Sequence, residues 1–126
     1  MVELNHTIVR VGDKQDSARF LTDILGLEEA TSYGPFLVVQ MANGVSLDLA
    51  DDHGVVNPQH YAFLVSDQEF DEIFARIGQR NLPYWAGPGR RGPGRINTND
   101  GGRGVYWEDP DGHMLEIITR PYGSGG

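Results

Sequence analysis

The chain has no cysteine among its 126 residues. Disulfides, thiolate metal sites and cysteine nucleophiles are therefore excluded. No apolar run approaches the roughly 20 residues that a membrane-spanning helix needs, so no membrane partner is expected. The N-terminal stretch Met1-Val2-Glu3-Leu4-Asn5-His6 lacks the basic and apolar regions of a secretory signal, and the expected location is the cytoplasm. Basic residues are scarce. Ten Lys and Arg against 18 Asp and Glu give a net charge of −8, and the pI is near 4.7. That balance argues against a nucleic-acid partner, whose affinity rests on neutralised phosphates. Also missing are a Gly-x-Ser-x-Gly elbow, a phosphate-binding loop and a His-Glu-x-x-His motif. Hydrophobic residues, at 39%, suffice for a core, and the length fits one domain, 1–126.

What is present is organised around Gly104-Val105-Tyr106-Trp107-Glu108-Asp109-Pro110-Asp111-Gly112-His113-Met114-Leu115-Glu116-Ile117-Ile118. It reads as strand, tight turn, strand. Proline presets φ in the turn, aspartate bonds its own backbone, and glycine accepts positive φ. After the turn, Leu115 and Ile117 point to one face, and Met114, Glu116 and Ile118 to the other. A carboxylate in so apolar a strand is costly to bury unpaired. Either that face is wet or Glu116 holds something positive.

The same order of elements occurs twice. In the first half, Leu4 to Val11 reads as a strand, with His6, Ile8 and Arg10 on one face. Asp16 to Leu25 has a helical stripe that stops at Gly26. Phe36 to Met41 and Val45 to Ala50 make a hairpin about Ala42-Asn43-Gly44, and a short strand is expected within Leu27 to Tyr33. Asp51 to Gln59 is a polar connector. In the second half, His60 to Val65 is a strand. Ser66-Asp67-Gln68-Glu69 is a capping box, and Phe70, Ile73, Phe74 and Ile77 form the stripe of the helix it opens. Leu82 to Ala86 is a short strand that Pro83 restricts to an edge. Gly87 to Gly104 is a glycine-rich segment of about 18 residues without a period, expected as a lid, a binding loop or a disordered stretch. It carries Arg90, Arg91, Arg95 and Arg103. The tail, Ser124-Gly125-Gly126, is expected to fray.

The expected architecture is thus α+β: two βαβββ modules, about 1–52 and 58–122. Superposing the hairpins sets Gly44 against Gly112 and Asp48 against Glu116. Superposing the first strands sets His6 against His60. The histidines are 54 residues apart and the carboxylates 68, the excess falling in the Gly/Arg segment. Each module offers a histidine near the start of its first strand and a carboxylate in its last, all opposite the purely apolar face. A single strand histidine is more often satisfied by the backbone than bound to metal. Its recurrence at the same place in a repeated module reverses that balance. Two histidines and a carboxylate leaving open positions suit iron(II), and zinc, nickel, cobalt or manganese would accept the same donors. Asp48 has a shorter arm and is a candidate for fourth ligand, proton shuttle or orienting group. His53 and His113 carry little weight. Trp85, Tyr106 and Arg95, in or beside the Gly/Arg segment, are the candidate substrate-binding residues.

These modules, His6, His60 and Glu116 in the Tyr-Trp-Glu-Asp-Pro-Asp-Gly-His-Met-Leu-Glu-Ile hairpin together resemble the vicinal oxygen chelate superfamily. That group includes glyoxalase I, extradiol dioxygenases, fosfomycin-resistance transferases, methylmalonyl-CoA epimerase and bleomycin-resistance proteins. The resemblance covers all but the tail. It implies a curled mixed sheet forming a cup around a divalent metal, usually in a homodimer, with His6, His60 and Glu116 as ligands. In glyoxalase I the fourth ligand is a glutamate, and here that position is Asp48, which weakens the glyoxalase reading. The Pro-Tyr-Trp strand and the Arg-Gly-Pro-Gly-x-Ile-Asn loop are similar to small oxidases of aromatic-polyketide pathways such as chartreusin biosynthesis. The expected function is an Fe(II)-dependent dioxygenase or oxidase acting on an aromatic or polyketide-like small molecule. The alternatives are a glyoxalase I-like lyase or isomerase with zinc or nickel, and a metal-free drug-binding resistance protein.

Overall fold

The structure, a computed structural model, describes residues 1–125. Its contacts divide into two units, Met1–Asn57 and Pro58–Gly126. In the first unit, β1 (His6–Val11) leads into α1 (Lys14–Leu25), followed by β2 (Thr31–Tyr33), β3 (Phe36–Gln40) and β4 (Ser46–Asp51). The Asp13 carboxylate starts α1 by accepting the N–H groups of Gln15 and Asp16 at 3.0 and 3.1 Å, which satisfies two of the donors a helix N-terminus leaves over. Gly26 ends it at φ 69°, the left-handed cap that glycine supplies without a Cβ penalty. Residues Ala18, Leu21 and Ile24 of the helix, Val9 and Val11 of β1, Val39 of β3 and Leu47 and Leu49 of β4 are buried, and the helix packs on β3 and β4. His6, Ile8 and Arg10, on the opposite face of β1, are exposed.

The second unit runs β5 (His60–Leu64), α2 (Asp67–Gln79), β6 (Tyr84–Gly87), β7 (Arg91–Pro93), β8 (Gly104–Glu108) and β9 (Met114–Ile118). The capping box is formed as the sequence indicates: Ser66 Oγ accepts the Glu69 N–H, and the Glu69 carboxylate accepts the Ser66 N–H. Phe70, Ile73 and Ile77 are buried on α2, and Val105, Trp107, Leu115 and Ile117 on the sheet. Two ring contacts tie helix to sheet. Phe74 meets Tyr84 edge-on at 5.1 Å, and the Arg103 guanidinium lies 4.4 Å over Phe70 while pairing with Asp67 and Asp71.

Strand orders are β1-β4-β3-β2 and β5-β9-β8-β6-β7, so there are two mixed sheets, neither closed into a barrel. In each, the first strand of the unit pairs in parallel with the last and the remaining neighbours are antiparallel. Apart from β7 the two orders are the same. The fold is therefore α+β, with a repeated connectivity. Among the described residues no helix is long and apolar enough to cross a membrane.

The structure corrects three expectations. Gly87 to Gly104 is not an unstructured loop. It forms β7, a short 3-10 turn at Asn99–Gly101 and a bridge between Asn97 and Gly104. A three-residue strand has no readable period; positive φ occurs on both sides of it, at Gly89, Arg90 and Gly94, and within it at Gly92. For the same reason β6 is not an edge strand: β7 covers its outer side, and Pro83 lies just before it. The tail is tied down through Gly125 rather than frayed, because the N–H groups of Gly123 and Gly125 donate to the Asp100 carboxylate. The expectation for Gly126 falls outside the described residues.

Gly92 has φ 62°, and a Cβ there would lie 3.0 Å from the Ala86 Cβ, whereas Gly94 at φ 71° faces open space. Both Gly→Val substitutions carry the roughly 1–2 kcal/mol cost of a left-handed branched residue, and only Gly92→Val adds a clash. Urea unfolding is expected to show the larger loss of stability for Gly92→Val.

Candidate metal centre

Parallel pairing of β5 with β9 sets His60 opposite Met114 and Ala62 opposite Glu116. Antiparallel pairing of β9 with β8 and of β8 with β6 then lines up Glu116, Tyr106 and Trp85 across the sheet. These side chains share the face turned away from α2. On it, Glu116 is only 1% exposed. His60 reaches diagonally along the strands, and its Nε2 lies 3.0 Å from Glu116 Oε1. Its Nδ1 lies 3.0 Å from the Met114 carbonyl oxygen, to which it donates. The Tyr106 ring stacks on the imidazole at 5.8 Å and 21°. The buried carboxylate thus does have a hydrogen-bonding partner, as its cost in an apolar strand demands.

Glu116 has a further partner that sequence reasoning missed. The Tyr122 hydroxyl lies 2.6 Å from both Oε1 and Oε2 of Glu116 and 3.3 Å from the Tyr106 hydroxyl. Burial of the hydroxyl, and then its bond to the Glu116 carboxylate, hold the Tyr122 phenol well above the ordinary tyrosine range. Burial likewise raises the Tyr106 phenol. The one available signal was an aromatic residue in an otherwise polar tail, Pro121-Tyr122-Gly123, and it says nothing about where the tail turns.

The start of β5 is fixed from the turn between β8 and β9. Asp109 Oδ1 accepts the N–H groups of Asp111 and His113 at 2.9 and 2.8 Å, and Gly112 takes φ 85°. His113 is buried, and its Nδ1 accepts the Gln59 N–H at 2.9 Å. This histidine therefore holds the residue before His60 in place and points away from Glu116's face. Burial raises the Asp109 carboxyl, a shift that the neighbouring His113 opposes.

His60 also lines an open cleft of about 640 Å³ whose other walls include Arg90, Glu108, Gly112 and Met114. Arg90 pairs with Glu108 at 2.6 Å and lies 5.5 Å over the Trp85 ring. Among the arginines of the Gly/Arg segment, the structure therefore sets Arg90 beside His60. Arg95 sits in an exposed turn after β7.

In the first unit, His6 and Asp48 share the face turned away from α1, since His6 pairs with Ser46 and Ile8 with Asp48. His6 Nδ1 is 2.7 Å from Asn5 Oδ1, and the Ser46 hydroxyl donates to Asp48 Oδ1 at 2.8 Å. So the structure brings together His60, Glu116 and Tyr106, with Trp85 in the next strand, while His6 and Asp48 belong to the other unit. Among the described residues, no three His, Asp or Glu side chains gather as a metal-binding group. The His60–Glu116 donors nonetheless fit a divalent metal. A nitrogen and an oxygen converge, and the far ring nitrogen is anchored on a carbonyl, the support that metal-bound histidines typically have.

The sequence matches the Glyoxalase/Bleomycin resistance protein/Dioxygenase superfamily over residues 3–117. The chain belongs to this superfamily. Two solved structures are similar over nearly their whole length. The Oxidase ChaP-H1 is 67% identical, with a TM-score of 0.96 over 98% of this chain and 99% of that one. The Oxidase ChaP-H2 is 65% identical, with a TM-score of 0.96 over 99% and 98%. Among curated superfamily relatives, the glutathione transferase FosA of Serratia marcescens is 29% identical over 90% of this chain and 78% of its own length. The metallothiol transferase FosB of Lysinibacillus sphaericus is 25% identical over 92% and 81%.

The raised Tyr122, Tyr106 and Tyr61 phenols give a spectroscopic signature. The folded chain keeps these protons above the ordinary value of about 10, so its stability falls as pH rises beyond that value. In an alkaline titration of tyrosinate absorbance, Tyr122→Phe is expected to remove one of the components that ionise above the ordinary value.

Proposed function

We propose that this chain is a metal-dependent oxidoreductase, an oxidase or dioxygenase that acts on an aromatic, polyoxygenated small molecule. The observation that carries the reading is the buried Glu116 carboxylate meeting an imidazole already anchored through its other nitrogen. The resemblance to two proteins named oxidase, over nearly the whole chain, supports the reaction class. The ligands in this reading are His6, His60 and Glu116, with iron(II) as the metal and a homodimer as the working form. When bound, the ion would supply a Lewis acid and a template for substrate oxygens at its open positions.

The chain's own residues do the rest. The Met114 carbonyl accepts from Nδ1 of His60, so that with a metal bound Nε2 would be the nitrogen offering its lone pair. Tyr106 stacks on His60 and limits its rotation. Trp85 offers a flat apolar surface for an aromatic ligand, and Arg90 above it suits a phenolate or enolate oxygen. Glu108 holds that arginine in place. Asp48, fixed by the Ser46 hydroxyl, is the residue for moving a proton or orienting a ligand. The hairpin of β6 and β7, with Gly89 and Arg90 in its turn, forms one wall of the open cleft. Arg95 is the outer substrate contact in this reading.

A second reading has support of its own. The FosA relative is named a glutathione transferase and the FosB relative a metallothiol transferase, and a metal-dependent group transfer would use the same donors.

Elemental analysis of freshly purified protein beside His60→Ala tests both. The expected result is about one iron per chain, lost in the variant, and oxygen uptake with catechols or polyketide quinols. Glu116→Ala is expected to lower metal affinity by more than the roughly 10–100-fold that removing a supporting partner costs. Manganese, zinc or nickel in place of iron favours transferase, lyase or isomerase chemistry. No metal after anaerobic reconstitution overturns the reading and turns attention to a drug-binding role.

A further inference from the structure

The segment after β9 folds back on its own unit. The N–H of Thr119 donates to the Arg103 carbonyl at 3.0 Å, and the Arg103 N–H to Thr119 Oγ1 at 2.9 Å. Gly102 packs so closely here that a Cβ would lie 2.6 Å from Thr119 Oγ1. Farther along, Gly123 and Gly125 donate their N–H groups to Oδ2 and Oδ1 of Asp100 at 3.1 and 3.3 Å. Asp100 holds a left-handed φ of 57°. Between these two anchorages stands Tyr122. The residue is 63% exposed, yet its hydroxyl reaches a carboxylate that is 1% exposed. A tyrosine that served only to cover surface would leave its hydroxyl in water.

We propose that Tyr122 is a positioning residue for Glu116, delivered to it by a tail that Asp100 clamps. The inference rests on the metal site proposed above. Once His60 Nε2 and one Glu116 oxygen are given to a metal, the hydrogen bond between them is lost. The second carboxylate oxygen is then buried and needs a donor. The Tyr122 hydroxyl, at 2.6 Å from either oxygen, serves whichever is left. It fixes the carboxylate plane and so the direction from which Glu116 approaches a cation. Tyr106, 3.3 Å from the Tyr122 hydroxyl, steadies that hydroxyl from the sheet side.

The test is a titration of the full chain with cobalt(II) alone, reading affinity by calorimetry and ligand geometry by the visible spectrum of bound cobalt. Tyr122→Phe is expected to weaken cobalt binding about 10–100-fold and to alter the spectrum. Asp100→Ala, which frees the tail without touching Glu116, should weaken it less. In a Glu116→Gln background, Tyr122→Phe should add nothing further. Wild-type affinity and spectrum in Tyr122→Phe overturn the inference, as does tighter binding, which would make the phenol a blocking group. Weaker binding with an unaltered spectrum also overturns it, because a tail that only stabilises the fold would give that result. Cobalt binding lost in His60→Ala but unchanged in Tyr122→Phe removes this inference and leaves the proposed function standing. Absence of cobalt binding by the wild type removes both.

Discussion

A carboxylate enclosed in an apolar sheet must be compensated, and Glu116 is compensated from two directions. One side is the imidazole of His60, brought by the parallel partner strand. The other is the phenol of Tyr122, brought by the returning tail. Parallel strands cannot be joined by a tight turn. The whole of α2, β6, β7 and β8 is the connection that lets β5 and β9 lie side by side. The secondary structure of this unit is in that sense the means by which two polar side chains, 56 residues apart, reach 3.0 Å.

The strand order of the first unit repeats that of the second apart from β7. It carries the equivalent pair, His6 and Asp48, on the equivalent face, but with different chemistry. Asp48 is only partly covered and is held by a serine hydroxyl, where Glu116 is buried and held by an imidazole and a phenol. Duplication of a fold element therefore did not fix the polar partners. The shorter aspartate side chain and its serine partner leave the two carboxylates in different environments.

The glycine- and arginine-rich segment also owes its form to local backbone freedom. Positive φ at Gly89, Gly92 and Gly94 permits reversals that a branched side chain would resist. Arg90 takes the same conformation without being glycine, and its side chain is occupied on both sides, by Glu108 and by the Trp85 ring. Strain of that kind persists where surrounding contacts over-determine it. It falls in the wall of the cleft that His60 lines.

Much of the fold was legible in the residues themselves. Period-3.6 stripes, a capping box and a closing glycine specify α1 and α2, while the Asp13 cap of α1 emerged only from the structure. Alternation and the Asp-Pro-Asp-Gly turn specify β8 and β9, and with them the face on which Glu116 lies. The duplicated spacing pointed to His6, His60, Asp48 and Glu116 before any geometry was known, because side-chain alternation along a strand is a local property. What the tertiary structure alone decided is the set of partners. Which arginine stands beside His60, whether β6 has an outer neighbour, that His113 braces Gln59, and that Tyr122 returns to Glu116 all depend on how distant strands pair and where a tail of glycines turns. Those outcomes follow from satisfying buried polar groups in three dimensions, and no period in the sequence encodes them.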